Sequence, residues 1–326
     1  MHFLDINNIF IDAHVRFSQY CAEIYQFQYQ NNPVYRQWVD LIRPNGPFEK
    51  IPGSIPSLPI NCFKDFEVVT GSFVPEKVFE SSGTTEMITS KHLVKSLTIY
   101  EQSFLQSFQL FYGDIRDWCV LALLPSYLER DTSSLVYMAN HLIEKSGHPK
   151  SGFYLYNHAE LNDTIQQLEQ IGQKTILLGV TFALLDFSMA FRQQLKYTVV
   201  METGGMKGRG KELTRSELHH LLSTNFGVET IHAEYGMTEL LSQAYSSGNG
   251  RYICPPWMKV MVQSEDDPLL VKSTGMGLLV IIDLANIDSC SFIATKDIAK
   301  VYDDGSFEVL GRMDYSDLRG CSLMVV

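Results

Sequence analysis

Between Thr175 and Tyr235 the chain reads TILLG (175–179), TFALLDFSMAF (181–191), YTVVME (197–202), ELTRSELHHLLSTNF (212–226) and ETIHAEY (229–235). Short apolar runs of strand length take turns with longer stretches of helical pattern, and this alternation predicts helices set between strands. A strand reaches a parallel neighbour only through a crossover, usually a helix, so the pattern implies parallel α/β layers. In such sheets ligands collect beyond the carboxyl ends of the strands.

The same texture extends upstream. Leu161, Ile165, Leu168 and Ile171 form an apolar stripe ahead of TILLG. Leu93, Leu97, Tyr100, Phe104, Phe108 and Phe111 step by three or four, which predicts a long helix starting near Lys91, before the buried-strand run WCVLALLP (118–125). Residues 1–43 are aromatic-rich and helical in pattern, and they end at RPNGPFEKIPGSIPSLP (43–59), whose prolines and glycines read as an extended connector. After Tyr252 the runs become short and β-like: MKVMVQ, GLLVIIDLA and IAKVYDDGSFEVLGR, with Asp304-Gly305 as a hairpin turn. The expected organisation is an α/β core over 1–252, including the helical N-terminal segment, and a β-rich subdomain over 253–326.

At 326 residues and 45% hydrophobic content the chain can bury one or two real cores. Its formal charge of −11, from 37 acidic against 26 basic residues, argues against a sequence-independent grip on nucleic acid or an anionic membrane. Any phosphate must therefore be held locally. Six cysteines stand far apart with no C-x-x-C, so neither a zinc site nor a disulfide framework is indicated, and a reducing cytoplasm suits the chain. The first residues lack a basic, apolar, cleavable leader, and no later apolar run reaches the roughly 20 residues of a membrane span. The nine histidines are scattered; the adjacent His219 and His220, on a polar helix, read as solvent-facing.

Three loops carry candidate chemistry. VFESSGTTEMITSKH (78–92) sets Ser81, Ser82, Gly83, Thr84 and Thr85 after a short strand. Hydroxyls and successive backbone amides there can cradle phosphate, although the same residues also suit a Ser/Thr-rich turn with a helix N-cap. GMKGRGK (205–211) satisfies the first seven positions of a P-loop, but Glu212 follows where Ser or Thr should hold Mg²⁺, so a flexible basic loop is the better reading. HAEYGMTELLSQ (232–243) offers Tyr235 for stacking on a base, Gly236, Thr238 for a phosphate and Glu239 for Mg²⁺.

Taken in order, these segments resemble the adenylate-forming superfamily of acyl-CoA ligases, luciferases and peptide-synthetase adenylation domains. SSGTT (81–85) corresponds to the phosphate loop, and Thr203-Gly204-Gly205 falls where that family lays backbone against adenine. YGMTE (235–239) is nearly verbatim the adenine-stacking and magnesium motif. In ATKDIAKV (294–301) Asp297 matches the aspartate on the ribose hydroxyls, and in GRMD (311–314) Arg312 matches the arginine that also reaches the ribose. The resemblance implies an α/β fold made of the large N-terminal domain, layered parallel sheets with helices, plus a β-rich terminal subdomain, with ATP and Mg²⁺ as cofactors.

Within that superfamily the sequence is similar to the LuxE-type acyl-protein synthetases, through LPSYLER…SSLVYM (124–138) and an RGCSL tail (319–323). By this resemblance Cys321 accepts the acyl group as a thioester, catalysis falls to Cys321, Thr238 and Glu239, and Glu239 is the metal ligand. The implied substrate is a small-molecule carboxylic acid, a fatty acid by the resemblance, and the implied partner is an acyl-accepting reductase or carrier protein. Superfamily ligases continue into a mobile C-terminal lid with a catalytic lysine, which this sequence is expected to lack, leaving Lys207, Lys211 or Lys296 to stand in; Lys91 is expected to replace the lysine that the superfamily's phosphate loop carries. The alternatives are an AMP-forming acyl-CoA ligase-like enzyme, in which Cys321 is incidental, and a non-catalytic nucleotide- or acyl-binding scaffold of the same fold.

Overall fold

The computed structural model describes residues 6–42, 52–81, 89–124, 131–204 and 213–313. The chain forms two compact units, one of residues up to Ser72 together with those from Pro256, the other of Phe73–Pro255. The division read from the sequence at 252/253 falls close to the end of the second unit. The N-terminal helices group with the β-rich segment.

The first unit begins with α1 (Ile6–Asn31), kinked at Arg16, and α2 (Pro33–Ile42). Within the proline-rich stretch read as a connector, β1 (Leu58–Pro59) pairs in parallel with a later strand, and a single turn of helix, α3 (Cys62–Asp65), follows. The chain returns to this unit as β10 (Met258–Gln263), β11 (Val271–Lys272), β12 (Gly275–Asp283), β13 (Phe292–Val301) and β14 (Phe307–Arg312). These give the order β1-β13-β12-β10-β11, with β14 also on β13. Every pairing but β1–β13 is antiparallel. Gly305, at φ +80°, turns the β13–β14 hairpin where a side chain would strain the backbone. Aromatic residues tie helices to sheet: Tyr35 stacks on Phe292 with centroids 6.0 Å apart, and Phe10 meets the edge of Trp257 at 5.0 Å. Buried Gln28 is satisfied by backbone, donating to Asn286 and Ile287 carbonyls and accepting from the Ser291 amide.

The second unit holds β2 (Lys77–Glu80), β3 (Lys91–Val94), α4 (Leu97–Tyr112), β4 (Cys119–Leu123), α5 (Ser134–Ser146), β5 (Gly152–Phe153) and α6 (His158–Ile171). It continues through β6 (Thr175–Val180), α7 (Thr181–Ala190), β7 (Thr198–Thr203), α8 (Arg215–Phe226), β8 (His232–Tyr235) and β9 (Ala244–Ser246). The sheet order is β5-β4-β6-β7-β8-β9, parallel except for β9. Every residue of β4 and β6 is buried, as a strand covered by helices on both faces requires. Lys91–Val94 forms a strand paired with Lys77–Glu80 rather than the first turn of a helix, so the helix starts at Leu97, later than its apolar stripe suggests.

Candidate functional site

The carboxyl ends of β6, β7 and β8 lie side by side, with Val180 opposite Thr203 and Thr203 opposite Glu234. Because side chains alternate along a strand, Thr203 and Glu234 share one face and Glu202 projects from the other. On the first face the Thr203 hydroxyl donates to Glu234 Oε2 at 2.5 Å. On the second, the Thr181 hydroxyl, at the start of α7, lies 2.5 Å from Glu202 Oε1 and 3.2 Å from the Gly204 carbonyl. Each strand end is thus tied to its neighbour by a hydroxyl and a carboxyl.

Gly204 follows β7 at φ +77°, a backbone conformation that favours glycine, and a Cβ there would meet no described residue within 4 Å. On β8 Tyr235 packs against Tyr252, with centroids 5.7 Å apart, and keeps 8% of its surface exposed. Gly236 opens the following turn and is exposed, Thr238 is half-buried, and Glu239 is buried. The Thr238 carbonyl accepts from Nδ1 of buried His92 on β3 at 2.8 Å, which puts that ring's proton on Nδ1. The strand that follows the hydroxyl-rich loop is thereby bonded to the Tyr235–Glu239 turn.

Ser82, Gly83, Thr84 and Thr85 lie outside the described residues, but both ends of their loop are fixed. The Ser81 amide donates to the Ser90 carbonyl at 3.0 Å, and the Ser90 amide donates to Ser81 Oγ at 2.9 Å. Lys91 points its Nζ to within 4.0 Å of Glu80 across the hairpin. Gly205, the P-loop-like stretch with Lys207 and Lys211, and Cys321 also lie outside the described residues. In the first unit Asp297 and Arg312 are direct cross-strand partners on β13 and β14, so they share a face, with a register shift at Ile298/Ala299 beside them. Asp297 is buried and Arg312 exposed.

One expectation is corrected. His219 is not solvent-facing: its side chain is 13% exposed and Nε2 stands 3.9 Å from Glu202 Oε2, because α8 lays this position against the sheet; His220 is exposed as read. Four neighbours of the candidate residues, His92, Thr181, Glu202 and Glu234, were not singled out from sequence. The signal for the two glutamates was there, a carboxylate inside an apolar strand run, VVME and IHAE. Burial pushes the Glu234 carboxyl up to about 7; the Thr203 hydroxyl opposes the shift and the Glu202 charge adds to it.

The donor set suits a cation that brings its own ligands. Glu239 would supply one carboxylate, and among the described residues no cluster of three or more His, Cys, Asp or Glu could cage a metal. Mg²⁺ is commonly held by one or two carboxylates plus phosphate oxygens and water.

Solved structures identify the fold. An open-conformation 2-hydroxyisobutyryl-CoA ligase in complex with 2-HIB-AMP and CoA matches over 94% of this chain and 70% of that chain, at TM-score 0.63 and 10% identity. The same ligase in its postadenylation state matches over 94% and 68%, at TM-score 0.60 and 11% identity. A long-chain-fatty-acid-CoA ligase from Archaeoglobus fulgidus matches over 73% and 52%, at TM-score 0.50 and 14% identity. The chain spans 52% to 70% of the lengths of these ligases. No protein-family model matches the chain, and no curated protein matches it by sequence. The fold is α/β, that of the large N-terminal domain of adenylate-forming enzymes. No described helix is long and apolar enough to cross a membrane.

Proposed function

We propose that this protein activates a carboxylic acid with ATP to an acyl adenylate and transfers the acyl group to the thiol of Cys321. The observation that carries the reading is local. Gly204, at positive φ, and the Tyr235–Glu239 turn stand on adjacent carboxyl ends of parallel strands, in a fold whose solved examples include acid-CoA ligases.

In this reading Ser82, Gly83, Thr84 and Thr85 bind phosphate oxygens, and Gly204, Gly205, Tyr235 and Gly236 line the adenine. Thr238 bonds the α-phosphate, while Asp297 and Arg312 hold ribose hydroxyls. Glu239 would hold Mg²⁺, which supplies positive charge to the polyphosphate when bound. A carboxylate oxygen of the acid forms a bond to the α-phosphorus, the bridging bond to the β-phosphate breaks, and pyrophosphate leaves. The Cys321 thiolate then forms a C–S bond to the acyl carbon and AMP leaves; the thiol proton goes to solvent. Arg319, two residues away in sequence, favours the thiolate if its charge lies close.

Four of the five described cysteines are poor acceptors; the fifth, Cys254, is half-buried. Burial pushes the thiols of Cys21 and Cys290 up to about 12 and that of Cys119 up to about 11, and Cys62 is also raised, so none of these four is a ready thiolate. The LuxE-like stretches favour a fatty acid as substrate and a reductase or carrier protein as the next acceptor in the cytoplasm. The second reading, coenzyme A as acceptor, is favoured by the solved ligase complex that contains both 2-HIB-AMP and CoA.

The test is incubation with ATP, Mg²⁺ and a series of carboxylic acids, followed by mass spectrometry of the intact protein. A hydroxylamine-labile acyl adduct on Cys321 is expected. Full-rate acyl-CoA formation by Cys321→Ser would move the acceptor to coenzyme A, and no acyl product with any acid would leave only a binding scaffold.

A further inference from the structure

Glu234 is 6% exposed, at the end of a strand beside the candidate adenine segments, yet it belongs to none of them. We propose that Glu234 is a positioning residue, whose carboxyl sets the separation between the Thr203-Gly204 strand end and the Tyr235–Glu239 turn. The proposal rests on the nucleotide reading above.

Two contacts argue for it. Oε2 accepts from the Thr203 hydroxyl across the β7–β8 pair at 2.5 Å, a bond to the residue immediately before Gly204. Oε1 lies beneath Gly236, where an added Cβ would stand 2.5 Å from it, so the carboxyl occupies the space under the turn. The carboxyl is therefore held from the strand side and the turn side. A leucine of similar size would fill the space without the desolvation penalty of an acid. What the acid adds is a directed bond to Thr203.

The experiment is calorimetric titration of the full chain with ATP–Mg²⁺ and, separately, with pyrophosphate–Mg²⁺, on wild type, Glu234→Gln, Glu234→Leu and Thr203→Val. Gln keeps an acceptor for Thr203 and should hold ATP affinity within about threefold of wild type. Leu and Val remove the bond and should weaken ATP about tenfold, the scale of one lost buried hydrogen bond. Pyrophosphate, which has no adenine, should bind these variants within about twofold of wild type. Equal losses for both ligands would mean general structural damage and would overturn the proposal. So would a folded Leu or Val variant that binds ATP like wild type; Val carries the test if Leu does not fold. A wild type that binds no ATP would instead sink the nucleotide reading itself, a result distinct from binding that all variants share.

Discussion

Burial that pushes the Glu234 carboxyl up to about 7, from an ordinary value of 4.5, makes stability change with pH in a definite direction. Between those values the native protein keeps a proton that the unfolded chain has released. The stabilisation is thus complete below the unfolded value and is lost as pH rises through the native one, amounting to about 3 kcal/mol. Glu234→Gln cannot titrate. Urea denaturation at pH 5 and pH 8 should show wild type losing roughly 2–3 kcal/mol relative to this variant over that interval; parallel pH profiles would refute the burial argument. His92 makes a different kind of residue-scale case. Its Nδ1–H is given to the Thr238 carbonyl, and His92→Ala leaves that acceptor short of a partner. Chemical denaturation should register a loss of about 2 kcal/mol. The cysteines give a third: with Cys21, Cys119 and Cys290 buried, iodoacetamide at neutral pH should leave all three unmodified in the native protein and label them after denaturation.

At the scale of elements, β12 shows how little room a sheet leaves. A Cβ on Gly277 would stand 2.5 Å from the Gln263 backbone carbonyl on β10, an atom that cannot swing aside. Gly277→Ala should lower stability by about 2–3 kcal/mol in thermal or urea unfolding, the cost of forcing apart a packed pair; a neutral substitution would contradict the β10–β12 register. The elements most legible in the sequence are those with one unambiguous period. MKVMVQ coincides with β10, and TILLG and YTVVME fall on β6 and β7, because continuous apolar runs between polar turns match strands buried on both faces. Lys91–Val94 was illegible because Leu93 and Leu97 happen to stand four apart, continuing a helical stripe backwards across a hairpin strand. Leu58–Pro59 was illegible because two residues carry no period, and the partner that makes them a strand lies on β13, far along the chain. The candidate site divides the same way. Local motifs gave Tyr235 and Glu239, but Thr181, His92 and Glu234 owe their place to pairings between strands, which no single stretch encodes.

The whole molecule is built from a contiguous unit and a discontinuous one. Residues 73–255 own a complete sheet with helices, so a fragment of that span should unfold in one cooperative transition by circular dichroism. The other unit needs both ends of the chain, since β1 and the aromatic contacts of α1 and α2 complete a sheet whose remaining strands lie after Pro256. A fragment that begins at Pro256 should therefore remain without cooperative structure. The proposed activity belongs to the chain as a whole. It is tested most directly by acid-dependent exchange of labelled pyrophosphate into ATP, which reads adenylation whatever the final acceptor. With a suitable carboxylic acid, the wild-type chain should catalyse exchange, and Glu239→Ala and Asp297→Ala should each reduce it by about a hundredfold, the ~2.7 kcal/mol scale of a lost charge-stabilising contact. Exchange that is absent with every acid, or that survives both substitutions unchanged, would contradict the claim.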